Sequence, residues 1–508
     1  MRTILLIILD TLRRDRLSIY GHARETSPAF DALAEAGTLF ERAVAPAQWT
    51  IPAHASLFTG KYPSDHGVTQ ANSQLRDDQP VIAELLRTRG YHTVAFCNNP
   101  LVGVLNNGLQ RGFDAFYNYA SAIPYRPNDH KKTWLRREFT RRFRPYARRI
   151  GNQFAHSDAL FRLSLNPLFV PLWTRYINFK GHTANAIGDL IDYLDAHRAG
   201  GNRQPLFVFV NLMGAHLPYQ PPQDAIDRVA PRLRHDRQAY QFVRRFNADG
   251  AAWASPPEPP LEDWQQAALL DFYDAEIAAQ DAQIGRLIDH LRQTGLLDEM
   301  TVILAADHGE GHGEHHLFGH GFNVHQELVH VPLAIYDRER FPRGARIDRN
   351  VSTRRLFHTL LDLAGIDAEG LREGRALSLA AVANGGADAE DDTAFSEAFP
   401  PLTFIHVLEH RNPSVIERMA LREVRRAVYS GDHKLIARGD LAAAHIEGLY
   451  DLAADPAETW DLTSSLPEQA AALLARAAAL KGAPAPEAAR LEEDASMLEH
   501  LRALGYID

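Results

Sequence analysis

The sequence predicts an α/β fold: one large, mostly parallel sheet flanked by helices, followed by a small antiparallel sheet. Three observations predict it. Apolar, strand-like runs recur from Thr3 to Ala306. Helical stretches separate them. Each run ends at a polar residue or a turn.

Thr3–Leu9 is the first run and stops at Asp10. It is apolar without alternation, as a strand buried on both faces must be. Ser27 to Gly37 is a helix, with Ser before Pro28 at the first helical position. Phe30, Leu33 and Ala34 form its apolar face, and Gly37 stops it. Val81–Arg89 and Ala268–Leu291 are further helices. Tyr91–Phe96, Leu206–Leu212 and Thr301–Ala306 are further strands, rich in β-branched and aromatic residues. Alternating strands and helices make parallel connections, and ligands then bind beyond the carboxyl ends of the strands. Asp10, His216 and Asp307 fall at or just after such ends.

Arg126 to Lys180 breaks this rhythm. It is rich in arginine and aromatic residues, and Pro145 interrupts any single helix. Two or more short helices over the rim are expected, with the aromatics packed inward. Contact with a membrane surface is the alternative, and it is not favoured because no second anchor accompanies the segment. After about residue 375 the composition shifts, through Asn384-Gly385-Gly386 and an acidic stretch. Arg422–Val428, His433–Ala437 and Gly448–Leu452 read as short strands, and Ala470–Leu480 as a helix. The expected organisation is a catalytic domain over 1–375 and an α+β subdomain over 376–508.

The 508 residues carry 54 basic and 64 acidic side chains, a net charge of −10. That balance argues against broad nucleic-acid binding. The single cysteine, Cys97, excludes an intrachain disulfide framework and fits a reducing compartment. Thr3–Leu9 is too short for a signal peptide's apolar core, and no run reaches the roughly 20 apolar residues of a membrane span. A cytoplasmic location is therefore expected. No residue pattern specifies oligomeric state, so a homo-oligomer stays open.

Asp307-His308-Gly309-Glu310 follows a strand, as Asp10 does. Carboxylates and an imidazole at neighbouring strand ends make a metal site of oxygen and nitrogen donors. Such donors suit Mn²⁺ or Zn²⁺ better than Ca²⁺, which prefers oxygen throughout. His216 and His320 sit beside Pro or Gly turns and are candidates to move a proton to or from a reacting oxygen. They are also an alternative ligand pair for a second ion. His312, His315 and His316 are read as loop polarity.

The segment Trp49–Gly60 resembles the nucleophile segment of sulfatases. With Ile8-Leu9-Asp10-Thr11, Gly214-Ala215-His216-Leu217-Pro218 and Ala306-Asp307-His308-Gly309-Glu310, it identifies a sulfatase-like branch of the alkaline phosphatase superfamily. Ser430-Gly431-Asp432-His433-Lys434 and Leu449-Tyr450-Asp451-Leu452 resemble sulfatase C-terminal segments. The resemblance implies an alkaline-phosphatase-like fold and one divalent metal held by Asp10, Thr50, Asp307 and His308. It implies Thr50 as nucleophile, and His216 and His320 beside the transferred group or its leaving oxygen. It implies His54, Asn72 and Asn98 on the substrate side.

Thr50 stands where sulfatases place a cysteine or serine that is oxidised to formylglycine, and threonine cannot form that aldehyde. Thr11, His54 and His308 replace the second Asp, the Arg and the Asn of calcium-binding sulfatases. These departures bring the chain close to phosphonate monoester and phosphodiester hydrolases. The expected substrate is a small anionic ester, cleaved through a covalent Thr50 intermediate. A sulfate ester hydrolase and a phosphotransferase to an alcohol are the alternatives. A non-enzymatic binding protein is disfavoured because every expected part is present.

Overall fold

The computed structural model describes residues 1–120, 124–127, 170, 180–201, 203–254, 256, 258–366, 375–480 and 489–490. The large sheet has eight strands: β1 (Thr3–Leu9), β2 (Thr38–Val44), β3 (His92–Cys97), β4 (Ala115–Asn118), β5 (Leu206–Leu212), β6 (Met300–Ala305), β7 (His330–Tyr336) and β8 (Ala345–Ser352). Their order is β8-β2-β7-β6-β1-β5-β3-β4. Only β7 runs against the others, pairing antiparallel with β2 and β6. β1 lies between β5 and β6, in parallel register with both. Ile4 to Leu9 are all buried, so its unbroken apolar run is the signature of a strand covered on both faces.

Helices α1 (Pro28–Ala36), α2 (Thr50–Thr59), α3 (Ile82–Thr88), α4 (Thr183–Ala199), α5 (Asp263–Gln293) and α6 (Leu356–Leu363) flank the sheet. α1 begins at Pro28 and closes at Gly37, as expected. Its N-terminal amides are capped from outside: Asp281 of α5 accepts from Ala29 and Phe30 N–H at 2.8 and 2.9 Å. None of the described helices is long and apolar enough to cross a membrane.

A second sheet holds β9 (Thr393–Ala398), β10 (Arg425–Ser430), β11 (His433–Arg438) and β12 (His445–Asp451), paired antiparallel in that order. Helix α7 (Pro467–Leu480) packs on it through Ala470, Leu473 and Ala477. β9 runs beside the segment that leads into α2: Glu397 N–H donates to Pro46 O at 3.0 Å. The second sheet therefore braces the approach to Thr50. Most of the basic, aromatic stretch 126–180 lies outside the described residues. Of its ends, Arg126 pairs with Asp189 at 2.7 Å and Lys180 with Glu276 at 3.1 Å.

Candidate active site

The carboxyl ends of five strands converge. Asp10 follows β1, Thr50 opens α2 after β2, Asn99 follows β3, Asn211 lies in β5, and Asp307 and His308 follow β6. All six are buried. Asp10, Asp307 and His308 each bring one ligand-type atom within 4.8 Å of the others.

Asp10 Oδ2 accepts from Asn99 Nδ2 at 2.6 Å and Asn211 Nδ2 at 3.4 Å. Asp307 Oδ1 accepts from the backbone N–H of His308 at 3.0 Å and of Thr11 at 3.4 Å. The remaining oxygens, Asp10 Oδ1 and Asp307 Oδ2, are buried without a hydrogen bond. Burial raises the pKa of both carboxyls, and the Asp10 charge raises that of Asp307 further. Burial also lowers that of His308 well below the usual imidazole value. Among the described residues, the ion-pair contacts of Asp307 are His54 and His308, and no Arg or Lys pairs with either aspartate. Two buried carboxylates with orphaned oxygens beside a neutral imidazole fit a divalent cation.

Thr50 is the first residue of α2 and is almost fully buried. Its Oγ1 lies 3.4 Å from His308 Nε2 and 3.4 Å from Asn99 Nδ2. The start of a helix leaves backbone N–H groups unbonded and favours negative charge. One turn on, His54 Nδ1 donates to the Thr50 carbonyl at 2.9 Å. Its Nε2 meets Asn211 Nδ2 at 3.3 Å. His54 thus holds the turn that presents Thr50. Thr11 has left-handed φ of 58°. Its hydroxyl turns back to donate to Asp10 O at 2.7 Å, so it aims no oxygen at the cluster. Gly309 is required: a Cβ there would sit 2.0 Å from Glu327 O.

His216 and His320 face each other with ring centroids 5.3 Å apart, and His320 lies 4.6 Å from His308. His216 Nδ1 donates to Leu217 O at 2.6 Å. Burial lowers its pKa to about 4. His320 Nδ1 bonds Glu310 Oε1 at 2.8 Å. Burial works against protonation of His320, but the Glu310 charge and hydrogen bond outweigh it and raise the pKa. Burial thus favours neutral His216, while Glu310 favours the protonated form of His320.

The cluster brings together Asp10, Thr50, Asp307 and His308, with His216 and His320 alongside and His54 beneath. Asn98 is buried at the end of β3, with neither amide atom hydrogen-bonded. Asn72 lies apart, in the turn before the short strand Ser73–Gln74. Asn99 and Glu310 have roles that no motif assigns. Asn99 is legible as the cap before Pro100, since its Oδ1 accepts from Leu101 N–H at 2.8 Å. Lys180 is a third: its half-buried ammonium donates to Pro218 O at 3.0 Å, two residues from His216.

The family model described as Sulfatase matches residues 2–366. An arylsulfatase of Clostridium perfringens is 24% identical over 405 residues, covering 74% of this chain and 77% of its own. The crystal structure of a phosphonate monoester hydrolase of Agrobacterium radiobacter aligns with a TM-score of 0.65 at 24% identity, covering 95% of each chain. A second phosphonate monoester hydrolase, from Silicibacter pomeroyi, gives 0.59 at 20% identity, covering 99% of this chain and 96% of its own. At such identities the two structures establish the fold.

Proposed function

The chain belongs to the sulfatase family, and we propose that it hydrolyses phosphodiesters or phosphonate monoesters with the unmodified hydroxyl of Thr50 as nucleophile. The observation that carries this reading is the place of Thr50 Oγ1: at a helix start, 3.4 Å from His308 Nε2, beside two buried aspartates. Asp10, Asp307 and His308 would hold a divalent cation, Mn²⁺ or Zn²⁺ by their donors, which would supply Lewis acidity at the threonine oxygen and the reacting oxygens.

The residues divide the remaining work. Asn99 bonds Asp10 and reaches Thr50 Oγ1, fixing the nucleophile against the carboxylate. Thr50 Oγ1, whose proton passes to solvent as it ionises and returns when water frees it, attacks phosphorus. A P–O bond to Oγ1 forms as the bond to the alcohol breaks, and the phosphoryl group stays on Thr50. His320, oriented by Glu310, gives the departing oxygen its proton. His216, its Nδ1–H tied to Leu217, takes a proton at Nε2 from the water that frees Thr50. We assign the unbonded Asn98 amide and the half-buried Lys180 ammonium to the substrate's non-bridging oxygens.

A sulfate ester is the second reading, favoured by the arylsulfatase relative. Sulfate monoesters and phosphodiesters each carry one negative charge, so one pocket accommodates either. Rates on an aryl phosphodiester, an aryl phosphonate monoester and an aryl sulfate, each for the parent and Thr50→Ala, separate the two. The phosphorus reading expects the aryl sulfate to be the poorest substrate. A higher kcat/KM on the sulfate would overturn it.

A further inference from the structure

A second group of metal-type side chains lies away from the active site. His315 belongs to the turn Glu314–His316, His325 precedes the short helix Gln326–Val329 that carries Glu327, and Glu458 follows β12. Their rings and carboxylates meet where the catalytic loops abut the second sheet. The two imidazoles stack with centroids 3.6 Å apart and planes 4° from parallel. His325 Nδ1 is 3.1 Å from Glu458 Oε2, and His315 Nε2 is 3.9 Å from the same oxygen. His315 Nε2 is also 3.7 Å from Glu327 Oε2. One ligand atom each from His315, His325 and Glu458 falls within 4.8 Å of the others.

From these contacts we propose that His315, His325, Glu327 and Glu458 form a second divalent-metal site, suited to Zn²⁺, that fastens the loop carrying His320 to the C-terminal sheet.

Glu327 supplies the independent sign of a missing cation. It is buried, its Oε1 has no hydrogen bond, and its only ion-pair contact among the described residues is His315. Glu458 is already oriented: Lys434 Nζ lies 2.5 Å from its Oε1, and Gln326 N–H donates to its Oε2 at 2.8 Å. One ammonium thus faces two buried carboxylates. Two imidazoles and two carboxylates are a donor set for tetrahedral zinc. Zn–N distances of about 2.1 Å require the stacked rings to splay from parallel on loading. An entry path exists, because all four residues line a cavity of about 1620 Å³. None of Asp10, Thr50, Asp307 or His308 lines it. The coupling to the active site is through backbone: Glu327 O accepts from Glu310 N–H at 3.1 Å, and Glu310 holds His320.

The test is metal stoichiometry. The parent, Asp307→Asn, His315→Gln and Glu327→Gln are stripped with chelator, reloaded with Zn²⁺, and measured by plasma mass spectrometry, with far-UV circular dichroism as a check on folding. The expected result is two equivalents in the parent and one in each variant. The parent needs no substitution to fold, so an empty parent overturns the proposal even if a variant fails. A parent holding one equivalent that Asp307→Asn abolishes would overturn the second site and leave the catalytic one standing. One equivalent that survives Asp307→Asn but not His315→Gln would support the second site and remove the catalytic one. Two equivalents retained in folded His315→Gln, or none in the parent, would also overturn the proposal.

Discussion

The Thr50 cluster and the His315–His325 cluster are both imidazole–carboxylate groups, yet they are built differently. The first sits on the carboxyl ends of β1, β2, β3, β5 and β6, where the parallel sheet sets every approach. The second is assembled from loops that meet only when the C-terminal sheet docks. In the first, two aspartates are buried together, and among the described residues no ammonium or guanidinium pairs with either. In the second, Lys434 already neutralises one of two glutamates. The first cluster therefore leaves more negative charge for a bound cation to offset than the second.

The sharpest way to break that contrast is at the nucleophile. Thr50→Ala is expected to lower kcat/KM at least about 10³-fold, the scale seen when a covalent nucleophile is removed. Steady-state rates with metal content matched to the parent check this, and a loss under tenfold would place the attack elsewhere. His320→Ala is expected to cost about 10²–10⁴-fold on an alkyl leaving group. On a nitrophenyl leaving group, which departs without a proton, the cost should be far smaller. Equal losses on both would remove His320 as the acid.

Away from both clusters, buried histidines make stability depend on pH. Burial lowers the pKa of His66 to about 3 and that of His358 to about 4. Unfolded, each titrates near 6.5. As pH falls from 6.5 toward 4, the unfolded chain binds protons that the folded chain refuses, so stability falls. The slope is up to about 1.4 kcal/mol per pH unit for each histidine. Urea denaturation at steps from pH 7 to 4 checks it, and His66→Gln should flatten the slope by about one proton. A midpoint independent of pH over that range would contradict it.

The smallest effect sharpens the contrast from the other side. Zn²⁺ at a hundredfold excess over its Kd should stabilise Asp307→Asn by about 2.7 kcal/mol through the second cluster alone. His315→Gln/Asp307→Asn should gain nothing. Thermal unfolding with and without Zn²⁺ measures both, and equal stabilisation of the two variants would dissolve the distinction.

What was legible in the sequence follows the same divide. β1, β5 and β6 are plain because both faces are buried, so apolar runs mark them without alternation. Asp10 and Asp307 are plain because strands end there. β7 is hidden by Pro332, which a sheet interior normally excludes. The chain accommodates it at an irregularity in the β2 pairing between Val331 and Leu333. β8 is hidden because much of it is polar, at the edge of the sheet. β9 is hidden because it follows an acidic stretch and carries few large apolar residues. Within the site, Asn98 and Asn99 are neighbours in sequence, and only the geometry separates their roles: Asn99 bonds Asp10 and reaches Thr50, while Asn98 stays unbonded. His315, read as loop polarity beside His312 and His316, instead pairs with His325. His312 goes to Arg13 and Tyr219. Sequence spacing cannot show a partner that arrives from Glu458.

The central claim is that Thr50 carries the transferred group, and the direct measurement is to catch it there. Turnover of a phosphodiester is quenched in acid on the millisecond scale, and the tryptic peptide Ala43–Lys61 is weighed and fragmented. The expected result is a phosphoryl ester on Thr50 that rises and falls with turnover and is absent in Thr50→Ala. An unmodified peptide throughout productive turnover, with Thr50→Ala as active as the parent, would contradict it.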